Sequence, residues 1–218
     1  MTAQIANILK TLLATIDNGL DAQSQPLPQG LLFVDKLAGL VAIGEKVQPT
    51  DVEGAFKVSK FPISLDSNYE ECISSGCYKD LVPNSNLKGI LYFEDNGTTP
   101  GPVKHDSYQY TSKLRLVCWI NNNKIHSSGC LSINHVLITL IRATLEKGHF
   151  NSGVFKKIIV RTTSIIENEP RLFSRYNYPM ESVKFLMHPY EAFGLDLTVD
   201  YSIGKSCISD LQINPVQC

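Results

Sequence analysis

A strand-like segment near the C-terminus limits most strongly what this chain can fold into. From residue 193 to residue 203, apolar and polar side chains alternate without interruption. Successive side chains of a strand point to opposite faces of its sheet, so this alternation predicts one face on the core and one face in water. We therefore expect a sheet whose core-facing residues include Phe193, Leu195, Leu197, Val199, Tyr201 and Ile203.

An amphipathic helix is predicted to lie on this sheet. Between residues 132 and 147, apolar residues recur every three or four positions, at 133, 136, 137, 140, 141 and 145. Ser132 can cap the first turn, and Gly148 can take the left-handed conformation that closes the last. The apolar stripe should cover strands at 87–94, 111–120, 155–166 and 193–203. Its charged side is left for solvent or a neighbouring copy, and comprises Arg142, Glu146 and Lys147.

The N-terminal half predicts a second helix followed by less regular structure. Residues 2–16 repeat the amphipathic pattern, with Thr2 as the expected cap. Short strands are expected at 31–34, 40–47, 55–58 and 62–65. Segment 48–86 is interpreted as a possible insertion in a single domain, and 206–218 as a possible C-terminal arm. The predicted fold class is α+β: a mixed, mainly antiparallel sheet with a long hairpin, packed by one central amphipathic helix and an N-terminal helix.

A long loop is predicted between the strands at 87–94 and 111–120. Segment 95–107 contains Gly97, Pro100, Gly101 and Pro102, and Asn96-Gly97 is typical of a turn. Hairpin loops usually have about two to five residues, so a longer one is a candidate for reaching another molecule. The residues expected to contact an adjacent subunit are Asp95, Asn96, Lys104, His105 and Asp106.

Bulk properties argue against several classes of protein. A chain of 218 residues suits one domain with its own core. A formal net charge of -1 argues against a nucleic-acid binder that uses a large basic patch. Neither a signal peptide nor an apolar run of membrane-spanning length is visible, so we expect synthesis in the cytoplasm and no membrane partner. Free thiols are then expected at Cys72, Cys77, Cys118, Cys130, Cys207 and Cys218.

Residues that could carry chemistry do not form a recognisable motif. Gly204-Lys205-Ser206 ends like a phosphate-binding loop, but Val199 stands where that loop needs a glycine. Cys130 precedes a predicted helix and could pair with a histidine as a nucleophile, yet no hydrolase signature surrounds it. Four potential zinc ligands have loose spacing, namely Cys72, Cys77, His126 and Cys130.

Two aspartates on the alternating strand have two interpretations. Asp196 and Asp200 are four positions apart and so share a face. Paired acids can serve acid–base chemistry or bind a divalent ion. Equally, they can form the hydrated side of the strand, with Lys157 and Arg161 spaced for cross-strand ion pairs. We expect no enzyme activity, no cofactor and no metal; a small cytoplasmic enzyme and a zinc-stabilised binding module stay open as alternatives.

The order of elements, together with segment 189–201 (PYEAFGLDLTVDY), resembles the tail-terminator and neck-connector proteins of tailed bacteriophages. The general style of the sequence is also similar to structural proteins of the crAss-like phages of gut Bacteroides. The resemblance covers residues 87–203. It implies a structural virion protein that forms rings of six or twelve copies between portal and tail, with DNA passing through the lumen without sequence-specific binding. It further implies that Asp196 and Asp200 face the channel and that the 95–107 loop reaches a neighbouring subunit or ring.

Overall fold

The computed structural model describes residues 1–18, 24–25, 29–49, 56–66, 80–125, 133–167, 170–178, 180–187 and 190–206. Among these residues, two helices are longer than one or two turns: α1 (Thr2–Ala14) and α2 (Asn134–Leu145). The strands are β1 (Lys36–Pro49), β2 (Phe56–Ser64), β3 (Gly89–Val103), β4 (Ser107–Asn121), β5 (His149–Ser152), β6 (Phe155–Glu167) and β7 (Tyr190–Gly204). Short helical turns lie at Asn122–Ile125, Pro170–Phe173, Met180–Val183 and Lys184–Leu186.

One seven-stranded sheet forms the body of the protein, in the order β2-β1-β3-β4-β7-β6-β5. Every neighbouring pair is antiparallel except β1 and β3, which run parallel. β7 pairs with β4 along its whole length, from Tyr190 opposite Asn121 to Gly204 opposite Ser107. The protein is therefore an α+β fold with a mainly antiparallel sheet, as predicted, and the alternating strand lies inside that sheet.

The two helices cover one face of the sheet, called here the helical face. Leu9 of α1 and Ile141 of α2 are completely buried there, among the predicted core-facing side chains of β7. The predicted stripe of α2 is wrong at Val136, which is 53% exposed, because the helix presents Ile138 to the core instead. Gly148 follows α2 with a φ of +103°, which confirms its predicted left-handed conformation.

Neither predicted N-terminal cap is observed. Ser132 lies outside the described residues, and Ile133 occupies the N-cap position of α2. Met1 occupies the N-cap position of α1, so Thr2 is already helical. The hydroxyl of Thr2 instead forms a hydrogen bond of 3.0 Å with the hydroxyl of Thr98. This bond joins the first turn of α1 to β3.

The opposite face of the sheet, on which Tyr92, Trp119 and Asp196 lie, is called the far face. The alternation of β7 predicts that this face lies in water. That prediction is wrong at the end of the face where Trp119 lies, because the chain after β6 packs over it. A Cβ on Gly194 would lie 2.5 Å from the Leu172 side chain, which would have to shift, so the two residues pack closely. The segment after residue 167 contributes four buried side chains to this face, Leu172, Phe173, Tyr176 and Tyr178.

The predicted long loop is instead paired strand. β3 continues to Val103 and β4 begins at Ser107, so the turn between them has three residues. Bulges absorb the irregular sequence: the N–H of Gly97, with a φ of +103°, donates to the Asp95 carboxylate at 2.7 Å. β3 pairs with β1 only as far as Phe93. Beyond Phe93 this edge of β3 does not pair with β1, so a proline there removes no hydrogen bond between these strands.

β1 and β2 form a two-stranded ribbon that extends past the rest of the sheet. β1 pairs with β3 at Lys36, Leu37 and Leu40. Beyond that point, residues 41–49 pair with residues 56–64 of β2, a single edge strand where the sequence predicts two shorter ones at 55–58 and 62–65. The strand expected at 31–34 is wrong, because those residues form a turn before β1. Of the segment interpreted as an insertion, 50–55 and 67–79 lie outside the described residues, as does the tail from 207.

Candidate functional site

A row of alternating charges crosses three strands of the far face. Glu94 of β3 lies opposite Arg115 of β4, which lies opposite Asp196 of β7. The Arg115 guanidinium holds Asp196 with two bonds, Nε to Oδ1 at 2.7 Å and Nη2 to Oδ2 at 3.2 Å. Such a two-point contact fixes both side chains more firmly than a single bond. We take this row and the groups around it as the candidate site.

A second ion pair lies further along β7. Asp200 Oδ1 accepts a hydrogen bond of 2.6 Å from the hydroxyl of Thr111, and its Oδ2 accepts one from Arg161 of β6. The cross-strand ion pair that the spacing of Arg161 allows is therefore formed, and its partner is Asp200. Lys157 lies at a bulge with a φ of +52°, and its backbone N–H donates to Asn151.

The two predicted aspartates share the far face but do not form a carboxylate pair. Their separation of four strand residues amounts to about 13 Å, too far to share a proton or an ion. Asp196 and Asp200 keep 27% and 33% of their side chains exposed, and each is neutralised by an arginine. The arrangement therefore presents paired charges and provides no general acid–base dyad.

Glu94 is the deepest charged group of the site. Only 2% of this residue is exposed, and its Oε1 accepts a hydrogen bond of 2.7 Å from the Tyr176 hydroxyl. Its Oε2 lies 3.6 Å from Nη1 of Arg175. Burial raises the pKa of Glu94, and the Tyr176 bond and the Arg175 charge offset part of that increase.

Aromatic rings enclose this carboxylate. Tyr176 stacks on Tyr178 with ring centroids 5.7 Å apart, and its edge meets Tyr92 at 6.2 Å. Burial raises the pKa of Tyr176 far above its ordinary value, and the neighbouring Glu94 adds to the increase. The Tyr176 hydroxyl therefore stays protonated and acts as a permanent donor to Glu94.

Arg175 also ties the segment after β6 to the β3–β4 hairpin. It donates to the Asp95 carbonyl oxygen at 3.3 Å and to the Asn96 side-chain oxygen at 2.7 Å. Two of the residues predicted to contact an adjacent subunit are thus also held within their own subunit. The other three, Lys104, His105 and Asp106, are exposed at the hairpin tip, where Asp106 accepts a backbone bond of 2.9 Å from Lys205.

Sequence reasoning missed the Glu94 cluster. Glu94 and Tyr176 are 82 positions apart, and nothing near Tyr176 predicts that its segment folds back over the sheet. One local signal was present: Glu94 directly follows the apolar run 90–93, so it continues a buried strand with an acidic side chain. Arg115 shows the same kind of signal, since it alternates with Leu114 and Leu116 on β4.

Four residues were candidates for binding zinc, and one of them, Cys130, was also a candidate nucleophile. All four lie outside the described residues: Cys72, Cys77, His126 and Cys130. Within the described part of the chain, no three His, Cys, Asp or Glu side chains come together as a metal site would require. Cys118 is buried on β4, and burial raises the pKa of its thiol, so it stays protonated. Gly204 ends β7, and no glycine-rich loop precedes Lys205.

Glu146 is not left for solvent as the helix pattern predicts. Its carboxylate accepts a hydrogen bond of 2.8 Å from the Thr162 backbone of β6 and pairs with Arg142 at 3.2 Å. These residues line an open cleft of about 540 Å³ beside His149 and Arg161. Both arginines are already paired with carboxylates, so the cleft carries little net charge.

Neither a scan against protein-family models nor a search of curated proteins finds a match to this chain. Among the described residues, no helix has the length and apolar character needed to cross a membrane.

Proposed function

We propose that the protein is a structural component of a tailed-bacteriophage virion. It forms a homo-oligomeric ring of six or twelve copies in the neck or tail connector, joins the portal to the tail and surrounds the DNA channel. The observation that carries this proposal is β7, whose residues form the segment that resembles neck-connector proteins. β7 runs through the sheet with a buried side and a polar side, which suits a subunit that presents one sheet face to a channel.

The charges on the far face support passage of DNA in this proposal. A basic lumen would bind phosphates and hold the DNA back. Asp196 and Asp200 are instead paired with Arg115 and Arg161, so these four residues together carry no net charge. On this proposal these two pairs line the lumen and let the duplex slide.

The exposed residues of the β3–β4 hairpin are the support for a proposed contact between subunits. Val103 is 63% exposed beside the exposed turn of Lys104, His105 and Asp106. Asp95 and Asn96 are also exposed along the hairpin edge. We propose that this hairpin reaches an adjacent subunit or ring, while the central helix and the sheet serve as its scaffold.

Purified virions provide the test. The proposal expects this chain in the particle at several copies, six or twelve per virion, as counted by quantitative mass spectrometry against the major capsid protein. A small enzyme or a zinc-stabilised binding module expressed in the host would be absent from washed particles. Absence from the virion would overturn the proposal.

Lysine at both aspartates, Asp196→Lys with Asp200→Lys, is expected to impair DNA ejection while rings still assemble. Each new lysine would stand beside an arginine, and the resulting basic face would hold phosphates. Ejection is measured by DNA release from particles that carry the variant. The matched control, Asp196→Asn with Asp200→Asn, removes the same ion pairs and adds half as much positive charge, so it should impair ejection less. Loss of assembly in both variants would instead assign these residues to folding or to an interface.

A further inference from the structure

The ribbon, defined as residues 41–49 of β1 and 56–64 of β2, has an apolar face that is exposed except at Pro62, which is buried. Ile43, Val47 and Phe56 are 49%, 57% and 66% exposed. In the strand register Val47 lies opposite Val58, and Phe56 lies two positions before Val58 on β2. Residues directly opposite each other share a face, and residues two apart on one strand do as well. These apolar side chains therefore form a patch on one side of the ribbon.

An ion pair lies in the middle of that patch. Glu45 of β1 is opposite Lys60 of β2, with Nζ and Oε1 2.9 Å apart. Both side chains are about half exposed, at 53% and 44%. The face therefore has an acid on one strand and a base on the other, with Ile43 on one side of the pair and Val47 and Val58 on the other.

We propose that this face docks on the same face of a second copy of the chain. In this dimer the twofold axis runs parallel to the strands. Each β1 residue of one copy then lies over β2 of the other copy, at the residue that is its cross-strand neighbour within a ribbon. Glu45 then lies over the partner's Lys60, and Val47 over the partner's Val58. A twofold axis across the strands would put glutamate over glutamate, so the charges select the first arrangement.

The size of the ribbon sets the strength of the contact. Nine residues at about 3.3 Å each and two strands about 4.8 Å apart give a face of about 300 Å² per copy. This is well below the roughly 800 Å² per partner of a standard interface, so we expect a weak and concentration-dependent dimer.

Ribbon pairing goes beyond the proposed ring and does not depend on it. A twofold contact joins two copies and then stops, whereas a ring needs two different patches that meet head to tail. Dimers of the isolated chain can therefore be observed whether or not the chain is found in virions.

Charge reversal on either strand tests the proposal. Glu45→Lys gives a ribbon with two lysines, and Lys60→Glu gives a ribbon with two glutamates. The full-length wild type is expected to dimerise in sedimentation-equilibrium experiments. Each variant alone should dimerise at least tenfold more weakly, because like charges then face each other. An equal mixture of the two variants should form heterodimers, because every facing pair is again of opposite sign.

Heterodimer formation separates docking from a role within one ribbon. If the ion pair only stabilised its own ribbon, the mixture would behave like the separate variants, and the proposal would be overturned. A wild type that stays monomeric at the highest soluble concentration would overturn it as well. Val47→Thr keeps a β-branched side chain but adds a hydroxyl to the patch, so it should weaken the dimer. The control Val136→Thr alters a similarly exposed valine on α2 and should leave the dimer unchanged.

Discussion

Trp119→Ala is expected to lower the free energy of unfolding by about 3–5 kcal/mol, the range for truncating a large buried aromatic side chain. Trp119 is 1% exposed on the far face. Its ring stacks on Tyr190 with centroids 5.6 Å apart, and its Nε1 donates to the Phe185 carbonyl oxygen at 2.6 Å. Urea unfolding followed by far-ultraviolet circular dichroism measures the change.

A conservative variant separates the ring from its hydrogen bond. Trp119→Phe keeps an aromatic ring but leaves the Phe185 carbonyl oxygen without this donor, and we expect a smaller loss of about 1–3 kcal/mol. Val136→Thr, at an exposed position of α2, should change stability by less than about 0.5 kcal/mol. An alanine variant as stable as this control would contradict the packing described for the far face.

Tyr176→Phe is the second variant with a large expected effect, a loss of about 1–3 kcal/mol. It removes the donor to Glu94 Oε1 while the carboxylate stays buried. In a Glu94→Leu background the same change should cost much less, because no acceptor is then left unpaired. The single tryptophan, Trp119, reports unfolding by fluorescence in the Tyr176 and Glu94 variants. An equal cost of Tyr176→Phe in both backgrounds would show that the hydroxyl does not stabilise Glu94.

Glu94 should also make stability depend on pH. Burial raises its pKa in the folded state above the value in the unfolded chain, so the folded state keeps this proton to higher pH. The contribution of Glu94 is therefore fully present below the unfolded pKa and is lost as pH rises through the folded one. Relative to Glu94→Gln, the wild type should lose stability as pH rises from about 4 towards neutrality. A difference that does not change with pH would contradict the raised pKa.

Regular stretches of sequence predicted their own structure well. The alternation at 193–203 lies within β7, and the amphipathic repeats at 2–16 and 132–147 contain α1 and α2. These patterns are local, because each residue's partner lies two to four positions away. The hairpin was misjudged because glycine and proline usually mark turns, whereas here they occupy bulges and an unpaired edge of β3.

The candidate site was predictable only in part. Asp196 and Asp200 follow from the alternation of β7, and the pair with Arg161 follows from strand spacing. The Glu94 cluster depends on where the chain after β6 folds, and that is decided by distant contacts such as Leu172 against Gly194. A single sequence contains no local pattern for such a contact.

The narrow attachment of the ribbon has a consequence for motion. β1 meets β3 at only three positions, whereas β4 has a strand on each side for nearly its whole length. Breaking the outer ribbon therefore costs the hydrogen bonds of Lys60 and Val58 to Asn177, but none of the central ladder. Amide hydrogens at 42–48 should exchange with deuterium through local opening, while those of β4 should wait for global unfolding. A subunit built this way can loosen one arm while its body stays folded.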